Sequence, residues 1–140
     1  AFTTTTLDLS GTYLNWAKEN FKLNRIPLSK HQFIQTDAKE WVKQAPARLY
    51  DIIILDPPTI STSEKTKTNF DVQTDHAELI NNTLNHLQPG GILYFSNNFR
   101  NFVLDAEKIR SAIIEDISQQ SVPLDFRNKK IHACWRIVKI

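Results

Sequence analysis

The run Asp56-Pro57-Pro58-Thr59 directly follows the apolar stretch Ile52-Ile53-Ile54-Leu55. A carboxylate at the mouth of a buried strand can accept hydrogen bonds and can face positive charge that develops on a bound group. The two prolines behind it have fixed φ and no amide donor, so they form a stiff loop whose carbonyls meet few competing N–H groups. Two further acids stand in comparable places, Asp8 in "TTLDLS" and Asp37 in "FIQTD". Open α/β sheets bind ligands beyond the carboxyl ends of their strands, so three acids in successive strand–helix units point to one crevice. A carboxylate there can take both hydroxyls of a ribose, and another can take the exocyclic amine of adenine. Each acid also has a structural reading. Asp56 can simply end a strand before a turn. Asp37 can cap the helix that starts at Ala38, with Glu40 completing a capping box. Asp8 can cap the helix after it, although Ser10 and Thr12 are better placed.

The remaining reactive side chains group less sharply. Asn97, Asn98 and Arg100 follow a strand end and are candidates for contact with RNA or a base. Lys65 and Lys67 form one basic cluster, and Arg127, Lys129 and Lys130 form another. Both clusters read as solvated surface or as phosphate contacts. Phe70, Trp16 and Trp41 read as core, although Phe70 follows the DPPT loop and is a candidate for stacking on a target base. His31, His76, His86, His132 and Cys134 have no metal-ligand spacing, so no metal is expected. Cys134 lies mid-strand beside Trp135 and reads as packing, not as a nucleophile. None of the three glycines makes a GxGxxG motif or a P-loop.

Positioning these residues requires alternating strands and helices, the pattern of a parallel sheet with crossover helices. Strands are expected at Thr3–Asp8, Gln32–Gln35, Asp51–Leu55, Ile92–Ser96, Glu115–Gln119 and Ile131–Ile140. Helices are expected to about Asn24, at Ala38–Gln44, at Val72–Leu87 and at Asp105–Ile113. The run Asp51–Leu55 is apolar after its first residue, as in a central strand covered on both faces. At 140 residues with net charge +2, the chain is of single-domain size, burying roughly two-thirds of its unfolded surface, and is mildly basic. Its apolar runs fall far short of the about 20 residues that span a bilayer. The opening "AFTTTTLDLS" has neither the basic nor the long apolar segment of a leader. A lone cysteine excludes an internal disulfide framework and fits a reducing, cytoplasmic setting.

The order Asp8, Asp37, Asp56-Pro57-Pro58-Thr59 resembles a class I S-adenosylmethionine-dependent methyltransferase read from its second strand onward. The stretches "LDLSGTYLNWAKENFKLN", "LDPPTISTSEKTKTNFDVQTDHAELI", "PGGILYFSNNFR" and "DFRNKKIHACWRI" are similar to the C-terminal, guanine-N7 methyltransferase half of the bifunctional bacterial 23S rRNA methyltransferases. This resemblance implies a Rossmann-like α/β sheet lacking its first strand, with an antiparallel last strand. It also implies S-adenosyl-L-methionine as cofactor and 23S rRNA as partner. Asp8, Leu9, Asp37, Ala38 and Asp56 would hold the cofactor, and Asp56, Pro57 and Pro58 would serve the chemistry. Thr59, Phe70, Asn97, Asn98 and Arg100 would meet the substrate.

The family's first strand and its Gly-rich loop have no counterpart here. The chain therefore reads as a piece of a longer protein, inactive alone, whose open sheet edges would pair with each other or with a second copy. Two other readings stay open. One keeps the fold and changes the target to cytosine carbon-5 or an exocyclic amine. The other makes the chain a noncatalytic folded fragment.

Overall fold

β-branched and apolar runs become strands here wherever a helix or a neighbouring strand can cover one of their faces. The computed structural model describes residues 1–61, 69–123, 125–126 and 132–140. Lys65, Lys67, Arg127, Lys129 and Lys130 lie outside the described residues. Two compact units make up the chain, 1–44 and 45–140.

In the first unit the Thr-rich run forms β1 (Thr4–Asp8), which pairs in parallel with β2 (His31–Gln35) from Thr4 opposite His31 to Asp8 opposite Gln35. Between them lies α1 (Gly11–Leu23), and Ser10 is its cap, accepting from Tyr13 N. After β2 comes the short α2 (Ala38–Val42), capped by Asp37.

The second unit carries a four-stranded sheet in the order β3 (Tyr50–Leu55), β6 (Leu87–Asn97), β8 (Ala133–Lys139), β7 (Ala112–Asp116). β3 and β6 are parallel, and the final strand β8 runs antiparallel to both neighbours, as the sequence implied. A small antiparallel pair, β4 (Ile60–Ser61) and β5 (Phe70–Asp71), precedes α3 (Val72–Leu84). Asp71 caps α3 by accepting from Gln73 N, and Asp75 reaches back to Asp71 N, so the helix start is closed reciprocally. Val72, Leu79, Ile80 and Leu84 on α3 are buried with Leu87, Leu93, Phe95 and Ile137 of the sheet, and this is the core of the unit. No helix among the described residues is long and apolar enough to cross a membrane.

Several expectations are corrected. β3 is an edge strand of its sheet, and Ile52 and Ile54 are 57% and 78% exposed, so its apolar run is not covered on both faces. β1 and β2 form a two-stranded sheet of their own. The helix over Val72–Leu87 stops at Leu84, and β6 already begins at Leu87. Gly90 takes φ +77 in the excursion between Leu87 and Ile92, where the register to β3 shifts.

The helix expected at Asp105–Ile113 is only one 3-10 turn, Ala106–Lys108. The reason lies in α3, whose side chains bind backbone groups in and beside this segment and leave it only the bonds of that one turn, Lys108 N to Asp105 O and Ile109 N to Ala106 O. Gln73 pairs with both the N–H and C=O of Val103, His76 Nε2 accepts from Asp105 N, and Asn81 bridges Lys108 O and Arg110 N. The strand expected at Glu115–Gln119 is displaced toward the N-terminus as β7, and α4 (Ser118–Ser121) occupies its second half.

Candidate functional site

At the carboxyl end of β1, Asp8 turns its carboxylate back on the chain, and Oδ1 accepts from Ser10 N at 2.7 Å. This bond frees Ser10 to cap α1, so Asp8 shapes the turn while Ser10 does the capping. Gln35 Nε2 donates to Leu9 O at 3.1 Å, and Thr36 N donates to Asp8 O at 3.0 Å, tying the ends of the two strands together. Asp37 Oδ1 accepts from Lys39 N at 2.9 Å and caps the helix as the sequence allowed, while Glu40 pairs with Lys43 instead of completing a capping box. Ala38 is the first residue of the helix so capped. In both acids one carboxylate oxygen is used locally and the other has no partner among the described residues. Two half-used acceptor-only groups at adjacent strand ends are chemically matched to a diol and an amine.

In the second unit, the ladder ends with Leu55 opposite Phe95, one residue before Asp56 and Ser96. Ser96 Oγ donates to Asp56 Oδ1 at 2.7 Å. That hydroxyl fixes one carboxylate oxygen of an exposed residue. Ser96 was not singled out from the sequence. Its only signal there is position, a small polar residue where the alternation of "ILYFSNN" runs out next to the β3 end. Beyond the prolines, Thr59 O accepts from Val72 N at 3.0 Å, which anchors the loop on the first turn of α3.

Asn97 is 1% exposed, and its Oδ1 accepts from Phe99 N at 3.0 Å. Its Nδ2 is a buried donor with no partner among the described residues. Asn98 and Arg100 are exposed on the turn that follows. Phe70 is 3% exposed in β5, a packing position. The structure thus gathers Asp56 to Thr59 and Asn97 to Arg100 at one end of the second unit's sheet, and Asp8, Leu9, Asp37 and Ala38 at one end of the first unit's.

Among the described residues no group of His, Cys, Asp or Glu could hold a metal ion. His76 lies in an aromatic cluster with Phe95, Phe102 and Trp135. Its Nε2 accepts from Asp105 N, so the ring proton sits on Nδ1, 2.9 Å from the carbonyl oxygens of Val72 and Gln73. Cys134 is buried in β8, and that burial pushes its thiol above the ordinary range, against the opposing effect of a bond with Ser121. A poorly ionised thiol is a packing residue, in line with the reading of its sequence.

No family model matches the chain. Over 134 residues it is 48% identical to ribosomal RNA large subunit methyltransferase K of Neisseria meningitidis serogroup B, covering 94% of this chain and 38% of that protein. It is 48% identical over 136 residues to ribosomal RNA large subunit methyltransferase K/L of Legionella pneumophila, covering 96% of this chain and 19% of the relative. With the K/L protein of Vibrio parahaemolyticus the identity is 46% over 140 residues, 98% of this chain and 20% of the relative. The chain therefore spans about a fifth to two-fifths of the length of these relatives. Among solved structures, a methyltransferase in complex with SAH superposes with a TM-score of 0.79 at 23% identity, over 99% of this chain and 39% of that one. A chain described as a SAM-dependent methyltransferase from Agrobacterium tumefaciens gives 0.70 at 17%, over 96% and 48%. At these identities the likeness is one of fold, and the fold is that of Rossmann-like methyltransferases.

Proposed function

We propose, from a chain homologous along nearly its whole length to one stretch of the ribosomal RNA large subunit methyltransferases K and K/L, that it is part of an enzyme that transfers a methyl group from S-adenosyl-L-methionine to N7 of a guanine in 23S rRNA. Bound cofactor supplies an electrophilic methyl group on a positively charged sulfur. The observation that carries the reading at the site is Asp56, held by Ser96 at 2.7 Å at the end of β3 with two prolines behind it.

Guanine N7 has an in-plane lone pair and no proton to lose, so no general base is required. Asp56 accepts hydrogen bonds from the donor edge of the base and offsets the charge that appears on the alkylated ring. Pro57 and Pro58 present carbonyls along a stiff rim, and Thr59 closes that rim on α3. Holding the base in line with the methyl group supplies the larger effect, up to ~7–11 kcal/mol when geometry is good.

Asp8 and Asp37, each with a second carboxylate oxygen available, fit the ribose hydroxyls and the adenine amine of the cofactor. Leu9 and Ala38 line the same two turns. Asn98 and Arg100 contact the RNA, while the buried Asn97 orders their loop through Phe99 N and the buried Phe70 packs in β5. The remaining length of the relatives supplies whatever else binding needs, and an rRNA substrate places the work in the cytoplasm.

Nucleoside mass spectrometry of 23S rRNA from cells lacking the full-length protein tests this. Loss of one 7-methylguanosine is expected; loss of 5-methylcytidine or of an N-methylated amine would assign the enzyme a different target.

A further inference from the structure

The first turn of α3 reaches both sides of the Asp56 edge. Val72 N holds Thr59 O, and the next residue, Gln73, holds Val103 through two bonds, Nε2 to Val103 O at 2.9 Å and Val103 N to Oε1 at 3.0 Å. A side-chain amide that pairs with both backbone groups of one residue imitates one step of a strand ladder and fixes orientation as well as distance. The segment from Asn97 to Val103 is thereby held at both ends. Phe99 N is bound to Asn97 Oδ1, Phe102 N to Phe99 O, and the Phe102 ring packs 4.8 Å from His76 and 5.2 Å from Trp135. Between these anchors the side chains of Asn98 and Arg100 are exposed and make no hydrogen bond or ion pair with the described residues.

Exposed bonds of this kind add little stability singly. Their geometric effect is larger: without them the loop loses its downstream tether, and a long guanidinium on a loose loop meets a phosphate only at an entropic cost.

We infer that Gln73 is a positioning residue, holding the Asn98–Phe102 loop so that Arg100 meets a phosphate of the RNA backbone. This rests on the RNA reading above. The test measures binding of the full-length protein to unmethylated 23S rRNA transcribed in vitro, for wild type, Gln73→Leu, Arg100→Ala and the double variant, with hydrogen exchange at the Val103 amide.

Each single variant is expected to weaken binding about fivefold and the double variant no more than either, because the two residues act through one contact. The salt dependence should fall by about one phosphate contact in both single variants. Val103 exchange should rise in Gln73→Leu and stay unchanged in Arg100→Ala. Gln73→Glu, which keeps the acceptor for Val103 N–H, should recover part of the affinity, and it carries the same cycle if the leucine variant fails to fold.

Losses that multiply in the double variant, to about 25-fold, overturn the positioning role and leave the RNA reading standing. A full-length wild-type protein that does not bind the transcript overturns the RNA reading and this inference with it.

Discussion

Replacing His76 by phenylalanine isolates the bond between α3 and the segment after Arg100. The ring and its packing against Phe95 and Phe102 are kept, while Nε2, the acceptor for Asp105 N at 3.0 Å, is lost. The Nδ1 proton is lost too, but it faces carbonyls of Val72 and Gln73 inside α3. A fully buried donor left without a partner costs about 1–3 kcal/mol. Asp105 is only part-buried, with its side chain 36% exposed, so water can reach the freed amide. The expected loss is therefore about 1–2 kcal/mol. Urea titration followed by circular dichroism should show that loss with an unchanged slope, since the surface exposed on unfolding does not change. Hydrogen exchange at Asp105 should accelerate more than exchange in β6. A His76→Phe protein within about 0.5 kcal/mol of wild type, the range of an ordinary surface change, would refute the reading that this bond stabilises the docking of the segment on α3.

The two kinds of acid should separate kinetically in the complete enzyme. Asp56→Ala should lower methyl transfer far more than cofactor affinity, and Asp8→Ala should do the reverse, as read from kcat and from cofactor titration. Gly91→Ala should destabilise the chain clearly, since its Cβ would stand 2.9 Å from Gln88 O and 3.2 Å from Asp51 O, both backbone. Gly11→Ala should cost less, because its nearest neighbour is the mobile end of Gln35 at 3.1 Å; thermal melts of both variants compare them. Cys134, whose thiol burial holds above the usual range, should react with iodoacetamide more slowly at pH 8 than the unfolded chain does, and the gap should narrow as the pH is raised and thiolate forms. Equal rates in folded and unfolded chains at pH 8 would contradict the burial.

What was legible in the residues is what local chemistry decides. β-branched Thr4–Thr6 made β1, Ser10 was the better cap than Asp8, and Asp37 at a helix start carried its capping bond in the sequence itself. The polar ending of an apolar run located Asp56. Partners distant in the chain decided the rest. The stretch from Val103 to Arg110 has a helix-like composition, yet its donors and acceptors are claimed by Gln73, His76 and Asn81, twenty-seven to thirty residues earlier. Ser96 was invisible for a similar reason, since only the register of β6 on β3 brings its hydroxyl to Asp56. β3 misled in the opposite direction: an apolar run states what a strand needs, and the structure shows Ile52 and Ile54 without it.

That strand also governs how the protein must be handled. An edge strand that carries two exposed isoleucines is a template on which a further chain can add. Colloidal behaviour should then depend on concentration rather than on folding free energy, and a melting temperature will say little about shelf life. A lysine in place of Ile54, which is exposed and outside the buried core, would act as a gatekeeper, repelling strand addition while leaving the Asp56 edge untouched.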